Sequence, residues 1–143
     1  MRLYDWPDRF NRLIEIWRNR PFVWGQSDCI RFADAVYQAQ MGRHIFTDWF
    51  GTYTTEWGCL LNYKKQLKKT GFANIESAID SRLRRVDGLQ PPRGAIIGRN
   101  DETTQIVTGT ALGVGLGAKA AFLGYDGLEF TDIKPTDIFW CVE

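Results

Sequence analysis

The sequence lacks an excess of charge of either sign, because its 143 residues include 18 Lys and Arg against 17 Asp and Glu. Domains that bind nucleic acid usually carry a clear basic excess, so this balance argues against a nucleic-acid partner. No run of 18 apolar residues is present, which argues against membrane insertion. The first residues also lack the apolar segment of a secretory signal. We therefore expect a soluble protein that is synthesised in the cytoplasm.

The sequence is also poor in residues that hold metals or form disulfides. It has three cysteines, Cys29, Cys59 and Cys141, and one histidine, His44. The cysteines are far apart and odd in number, whereas a disulfide framework needs pairs and a structural zinc site takes closely spaced ligands. We therefore expect no metal and no cofactor. At least Cys59 and Cys141 should be separate thiols in the core.

Apolar side chains, in contrast, are abundant. Hydrophobic residues make up 44% of the chain and aromatic residues 14%, which is untypical of disordered chains. The length fits a single domain over residues 1–143. Residues 1–90 show mainly helical periodicity, and residues 91–143 show short apolar runs between turn residues. This order predicts an α+β fold in which N-terminal helices pack on a C-terminal antiparallel sheet.

Four helices follow from the apolar periodicity and from capping residues. The third ends in four lysines, which suit the negative end of the helix dipole and which we interpret as a solvated face. The first predicted helix is capped by Asp5, has Pro7 in its first turn and carries an apolar stripe to Trp17. The second runs from the cap Ser27 to Gly42. The third runs from Thr55 to Thr70, and the fourth from Ile75 to Leu83.

Six strands are predicted in the second half of the chain, with Gly124–Gly127 as a hairpin turn. The glycines Gly113, Gly115 and Gly117 resemble half of a dinucleotide-binding motif but lack its strand-to-helix context, so we interpret them as tight sheet packing. The predicted strands are Ala95–Ile97, Gln105–Val107, Leu112–Leu116, Ala120–Leu123, Leu128–Phe130 and Ile138–Val142.

The most informative segment is Pro21–Cys29, which places a cysteine in the first turn of the second predicted helix. Unpaired N–H groups and the positive end of the helix dipole stabilise a thiolate there and lower its pKa, as a nucleophile requires. The alternative is that Cys29 only begins the buried stripe of the helix, with Phe32 and Val36. Its position alone does not decide between the two.

The segment Trp24-Gly25-x-x-Asp28-Cys29 resembles the nucleophile motif of NlpC-type cell-wall peptidases, which are papain-like cysteine hydrolases. Over nearly its full length the chain is more similar to a family of phage tail-tip proteins related to NlpC. This resemblance implies a papain-like NlpC-type fold, with Cys29 as the candidate nucleophile and Asp28 as a motif residue.

The chain departs from the peptidase pattern at the general base. NlpC peptidases carry a histidine at the start of the second sheet strand, and Ala111 stands at the matching position here. The preceding strand is commonly entered through Gly-Asp, whereas this chain has Gly94-Ala95. His44 should lie at the far end of a helix about 20 Å long, beyond the ~3 Å reach that proton transfer needs. We therefore expect Cys29 to be vestigial.

Two hypotheses of function follow from the resemblance. The first is a structural component of the phage tail tip, located in the virion, that has a degenerate peptidase centre and contacts other tail-tip and hub proteins. The alternative is an active cysteine hydrolase that cleaves peptidoglycan stem peptides during genome delivery. It would use Cys29 as nucleophile and nearby backbone N–H groups as oxyanion donors.

Overall fold

A computed structural model describes residues 1–46, 51–100 and 107–143. Mixed α+β structure is observed, and the described residues form four helices and an antiparallel sheet of six strands. The helices are α1 (Trp6–Trp17), α2 (Cys29–Met41), α3 (Glu56–Thr70) and α4 (Ile75–Asp80), and the strands are β1 (Arg85–Val86), β2 (Ile96–Arg99), β3 (Ala111–Gly115), β4 (Lys119–Gly124), β5 (Gly127–Asp132) and β6 (Ile138–Trp140).

The predicted ends of α2 and α3 are confirmed at their C-termini. Left-handed glycines, Gly42 and Gly71, end α2 and α3 as predicted, and the Thr55 hydroxyl caps α3 by accepting from the Gly58 N–H. Asp5 stands at the N-cap of α1, but its carboxylate binds Arg9 and makes no cap hydrogen bond. The prediction for α4 was too long, because the helix ends at Asp80.

The strand order in the sheet is β1-β6-β2-β3-β4-β5. The predicted hairpin is confirmed, since β4 and β5 pair through the turn from Gly124 to Gly127. The two-residue strand β1 was not predicted, and β6 ends at Trp140 rather than at Val142. The predicted strand at 105–107 falls mostly outside the described residues, and Val107 itself lies in a turn.

The helices pack on one face of the sheet and share a core with it. Alternate residues of β3, Leu112 and Val114, join this core, together with Trp140 of β6. A second, smaller cluster covers the opposite face, which we call the outer face: Ile97, Ala111, Ala120, Phe122 and Phe139. Helix α2 contacts β3 directly, so the start of α2 is held against the middle of the sheet.

A buried ion pair fastens the outer face. The Arg99 and Asp137 side chains are 7% and 0% exposed, and two N–H groups of the guanidinium donate to the carboxylate at 2.9 and 2.8 Å. Arg99 also donates to the Thr131 hydroxyl and the Asp132 carbonyl, and it lies 4.4 Å from the centroid of the Phe122 ring. These contacts tie β2 and β5 to the connection from β5 to β6.

Replacing Arg99 with methionine should lower the free energy of unfolding by about 3–5 kcal/mol, because Asp137 would keep a buried charge without a partner. The matched control is Arg84→Met, which breaks an ion pair whose side chains are 69% and 62% exposed. That change should cost no more than about 1 kcal/mol. Urea titrations of the three proteins measure both effects, and equal losses would contradict this role of the buried pair.

Candidate functional site

The loop before α2 has a fixed shape. Gly25 has φ +81°, and a Cβ on it would lie 1.8 Å from the carbonyl oxygen of Tyr53, so only glycine fits there. Val23 and Ser27 form an antiparallel bridge, and the Ser27 hydroxyl donates to the Pro21 carbonyl at 2.5 Å. The loop therefore delivers the chain to the start of α2 in one defined direction.

Asp28, and not Ser27 as predicted, is the N-cap of α2. Its side chain is fully buried, and its carboxylate accepts from the Arg31 N–H at 2.8 Å, the Gly25 N–H at 2.9 Å and the Tyr53 hydroxyl at 2.6 Å. Ser27 points its hydroxyl back along the loop, which explains why it does not cap. A single carboxylate thus joins the helix, the loop and the segment before α3.

Sequence reasoning missed Tyr53. It lies 25 residues after Asp28, and no local pattern in the sequence relates the two positions. Burial and the negative charge of Asp28 raise the pKa of the Tyr53 hydroxyl far above its ordinary value, so this group stays a hydrogen-bond donor at neutral pH. Tyr53 also touches Cys59 of α3, which extends the network to a second helix.

Cys29 is the first residue of α2, as predicted, but its thiol is not activated. Burial first, and the charge of Asp28 second, raise the pKa of the thiol from its ordinary 9.0 to about 12. A hydrogen bond from the Leu112 backbone N–H acts in the opposite direction but is outweighed. Of the two interpretations that the position of Cys29 left open, the pKa favours the buried thiol over the activated nucleophile, because loss of solvent and a neighbouring carboxylate outweigh the helix N-terminus.

A cavity of about 620 Å³ opens at Cys29. Ala111, which stands at the position expected for the general base, lines the same cavity. The Ala111 side chain belongs to the outer-face cluster, while the next residue, Leu112, faces the helices. Cys29 therefore borders the cavity from the helix side of the sheet, whereas the Ala111 side chain borders it from the outer face. Its lining is largely aromatic on one side: Phe22, Trp24, Phe122 and Tyr125.

His44 follows the C-terminal end of α2, but the chain folds back there, and the imidazole lies beside Asp34, the sixth of the 13 residues of the helix. The His44 ring is held by the buried carboxylate of Asp34, with Nδ1 2.6 Å from Oδ2. Asp34 also accepts from the backbone N–H groups of Ile45 and Phe46, which fixes the turn that carries the imidazole. His44 therefore packs beside the middle of α2, and it is not among the residues that line the cavity.

The other two thiols differ in exposure. Cys59 is fully buried as expected, and burial raises its pKa to about 11. Cys141 was expected in the core, but it is partly exposed and lies 2.7 Å from a carboxylate oxygen of Glu143. It directly follows β6. No group of His, Cys, Asp or Glu within residues 1–46, 51–100 and 107–143 could hold a metal ion.

Gly113 and Gly115 of β3 allow close packing, as predicted, whereas the prediction was wrong for Gly117, which has φ +93° and open space where a Cβ would lie. A Cβ on Gly113 would lie 2.5 Å from the Ala121 carbonyl oxygen and 2.6 Å from the Phe122 ring. The absence of a side chain there lets Phe122 lie flat across the outer face, where it forms part of the cavity wall.

The fold and the site define an α+β protein with a cysteine at a helix N-terminus, set beside an antiparallel sheet at an apolar cavity. A family model described as a domain of unknown function, DUF6950, matches residues 1–142, and the chain belongs to that family. No curated protein matches the chain, and no solved structure matches it either. In the described part of the chain, no helix combines the length and apolar character needed to cross a membrane.

Asp28→Ala should lower the free energy of unfolding by about 3 kcal/mol, since it removes a helix cap and two further hydrogen bonds to a buried charge. Asp5→Ala is the matched control, because Asp5 is also an N-cap aspartate but makes no cap hydrogen bond. Its loss should cost less than about 1 kcal/mol, as for an exposed ion pair. Urea titration measures both, and a similar small cost for Asp28→Ala would contradict its central role.

The protein should lose stability at alkaline pH. The fold favours the protonated Cys29 thiol, so this contribution is complete below pH 9.0 and is lost as the pH rises towards about 12. Between pH 8.5 and 10.5 the group alone should cost about 2 kcal/mol. Urea titrations at both pH values measure the loss, which should be smaller by that amount in Cys29→Ala. Identical pH dependence of the two proteins would show that the thiol is not perturbed.

Proposed function

We propose that the chain is a structural protein of a phage tail tip, with a papain-like NlpC-type fold whose peptidase centre is degenerate. In this proposal it acts through contacts with neighbouring hub proteins rather than by hydrolysis. The observation that carries the proposal is the cavity at Cys29, which has a thiol at the motif position and no imidazole. The tail-tip assignment itself rests on the sequence resemblance.

The protonation state of Cys29 supports a degenerate centre. Thiol peptidases need a thiolate to attack the carbonyl carbon and a protonated base to give a proton to the leaving amine. The single histidine of the sequence, His44, is bound to Asp34 in the middle of α2 and does not line the cavity, so neither role is filled by an imidazole. With a pKa of about 12, only about one thiol in 10⁴ is ionised at pH 8.

The arrangement of helix and sheet is compatible with the NlpC-type fold. The resemblance implies a nucleophile helix whose N-terminus lies against an antiparallel sheet, beside the strand that carries the base. In this protein α2 contacts β3, and the Leu112 backbone N–H bonds to the thiol of Cys29. Ala111, at the position expected for the base, lines the same cavity.

One observation favours the alternative, an active cysteine hydrolase that cleaves peptidoglycan stem peptides. Backbone N–H groups lie close to the sulfur, both at the start of α2 and at Leu112, and such donors can stabilise an oxyanion. Turnover would need either a substrate that supplies its own proton donor for the leaving amine, or a rearrangement that moves the Asp28 carboxylate away from the sulfur. The buried, triply bonded carboxylate of Asp28 opposes such a rearrangement.

The first test separates the two functions by Cys29→Ala. Purified protein and this variant are incubated with peptidoglycan from the host of a phage that carries the gene, and released peptides are measured by mass spectrometry. We expect the same background release from both. Release by the native protein that disappears in the variant would establish the hydrolase.

The second test asks for the structural role in the phage. A phage lacking the gene is complemented with native protein, with Cys29→Ala, or with Trp140→Ala, whose fully buried ring should cost about 3–5 kcal/mol when truncated. The native protein should be found in purified virions, and Cys29→Ala should restore plaques fully, whereas Trp140→Ala should not. Cys29→Ala particles that assemble normally but fail to deliver DNA would overturn the proposal.

A further inference from the structure

Helix α3 exposes two large apolar side chains on one face. Trp57 is 66% exposed and Leu61 is 48% exposed. They are four residues apart, so they lie side by side on the helix surface. The opposite face holds α3 in the core through the buried side chains of Cys59 and Tyr63. The apolar pair is therefore presented to solvent on the side of α3 that faces away from Cys59 and Tyr63.

The same face continues into a cluster of lysines. Four of the six lysines in the sequence lie in the last two turns of α3, and all four are exposed: Lys64, Lys65, Lys68 and Lys69. Among the described residues, none of them forms an ion pair or hydrogen bond with a carboxylate. The helix has only one acidic residue, Glu56, at its first position. A chain that is nearly neutral overall thus carries a concentrated positive charge on one helix.

The helix dipole does not account for the whole pattern. It favours Lys68 and Lys69 near the C-terminus, but its effect is confined to about the last turn. It gives no reason for an exposed indole at the second position of the helix. Tryptophan is the residue type most enriched among the anchors of protein interfaces, where its ring fills a pocket on the partner. Trp57 therefore needs an explanation that a solvated basic face does not provide.

We propose that the α3 face, formed by Trp57, Leu61, Lys64, Lys65 and Lys68, docks on a partner protein that offers an apolar pocket surrounded by carboxylates. Trp57 and Leu61 enter the pocket, and the lysines pair with the surrounding acidic residues at its edge. The face is about 17 Å long, which suits a small patch on one subunit. Resting on the proposed function, the inference assigns the α3 face to contact with a neighbouring tail-hub protein.

The same features favour a protein over a membrane or a nucleic acid. A helix that lies in a membrane interface needs a broad apolar face, whereas the apolar side of α3 is used in the core and only two residues remain outside. Nucleic-acid binding depends on summed basic charge, and the sequence outside α3 is slightly acidic. An acidic protein pocket satisfies the charge and the indole together.

The partner can be identified by photocrosslinking in assembled particles. Leu61 is replaced by p-benzoylphenylalanine, and the same replacement at Leu89, which is 94% exposed on a loop, serves as the control. In purified virions we expect Leu61, but not Leu89, to crosslink to a tail protein at a segment containing several Asp or Glu residues. Crosslinks from both positions, or none from Leu61, would overturn the inference.

Point variants then test the chemistry of the contact. Trp57→Ala should reduce the amount of protein in virions at least about tenfold, as expected for an interface anchor. The double variant Lys64→Glu/Lys68→Glu should reduce it as well, and both variants should keep the native urea midpoint because the side chains are exposed. Arg12→Glu, at an exposed position of α1, is the charge control and should incorporate normally.

The outcomes separate this inference from the proposed function. If native protein is present in virions and Trp57→Ala is incorporated equally well, the α3 face is not the contact, and the tail-tip role stands. If native protein is absent from virions, the proposed function fails first. Binding of the purified protein to phosphatidylglycerol vesicles or to duplex DNA that is lost in Trp57→Ala would replace the protein partner and overturn the inference.

Discussion

The buried carboxylate of Asp28 is the interaction on which the rest of the site depends. It caps α2, accepts from the N–H of Gly25 and accepts from the hydroxyl of Tyr53, so three segments meet at one group without solvent. Hydrogen bonds to a buried charge are among the stronger ones in proteins, and leaving such a charge unpaired is costly. The position of the cavity follows from this constraint, because α2 can begin only where Asp28 is satisfied.

The carboxylate that stabilises the fold also disfavours ionisation of the neighbouring Cys29 thiol. A cysteine at a helix N-terminus is ordinarily activated by the dipole, and a histidine would hold its thiolate as an ion pair. Here burial disfavours the thiolate, and the negative charge of the neighbouring Asp28 adds to that effect, so the proton stays on sulfur. In the proposed function, loss of the imidazole leaves a network that stabilises the fold and a thiol that is inert. Stability and catalysis at this motif are thus separable.

Much of the fold could be predicted from the sequence because its signals are local. Apolar periodicity and the glycines Gly42 and Gly71 define α2 and α3, and the turn at Gly124–Gly127 defines a hairpin. Strand β1 could not be predicted, since two residues carry no pattern. The partnership of Asp28 with Tyr53 depends on chain segments that meet only in the folded protein. For the same reason, the sequence left open whether the Cys29 thiol is activated, because the burial that raises its pKa is a tertiary property.

The motif around Cys29 is therefore weak evidence for catalysis when taken alone. A side chain at position 25 would collide with the carbonyl oxygen of Tyr53, and Asp28 caps the N-terminus of α2, so Gly25 and Asp28 both have structural reasons to be present. A motif that is needed for folding persists whether or not a reaction occurs at the adjacent thiol. What distinguishes a peptidase from a structural domain is a group that moves a proton beside the sulfur, and the one histidine of the sequence, His44, does not line the cavity at Cys29. Function must then be sought where side chains are exposed without a structural reason, and in the described part of the chain the exposed indole of Trp57 beside a row of lysines is such a place.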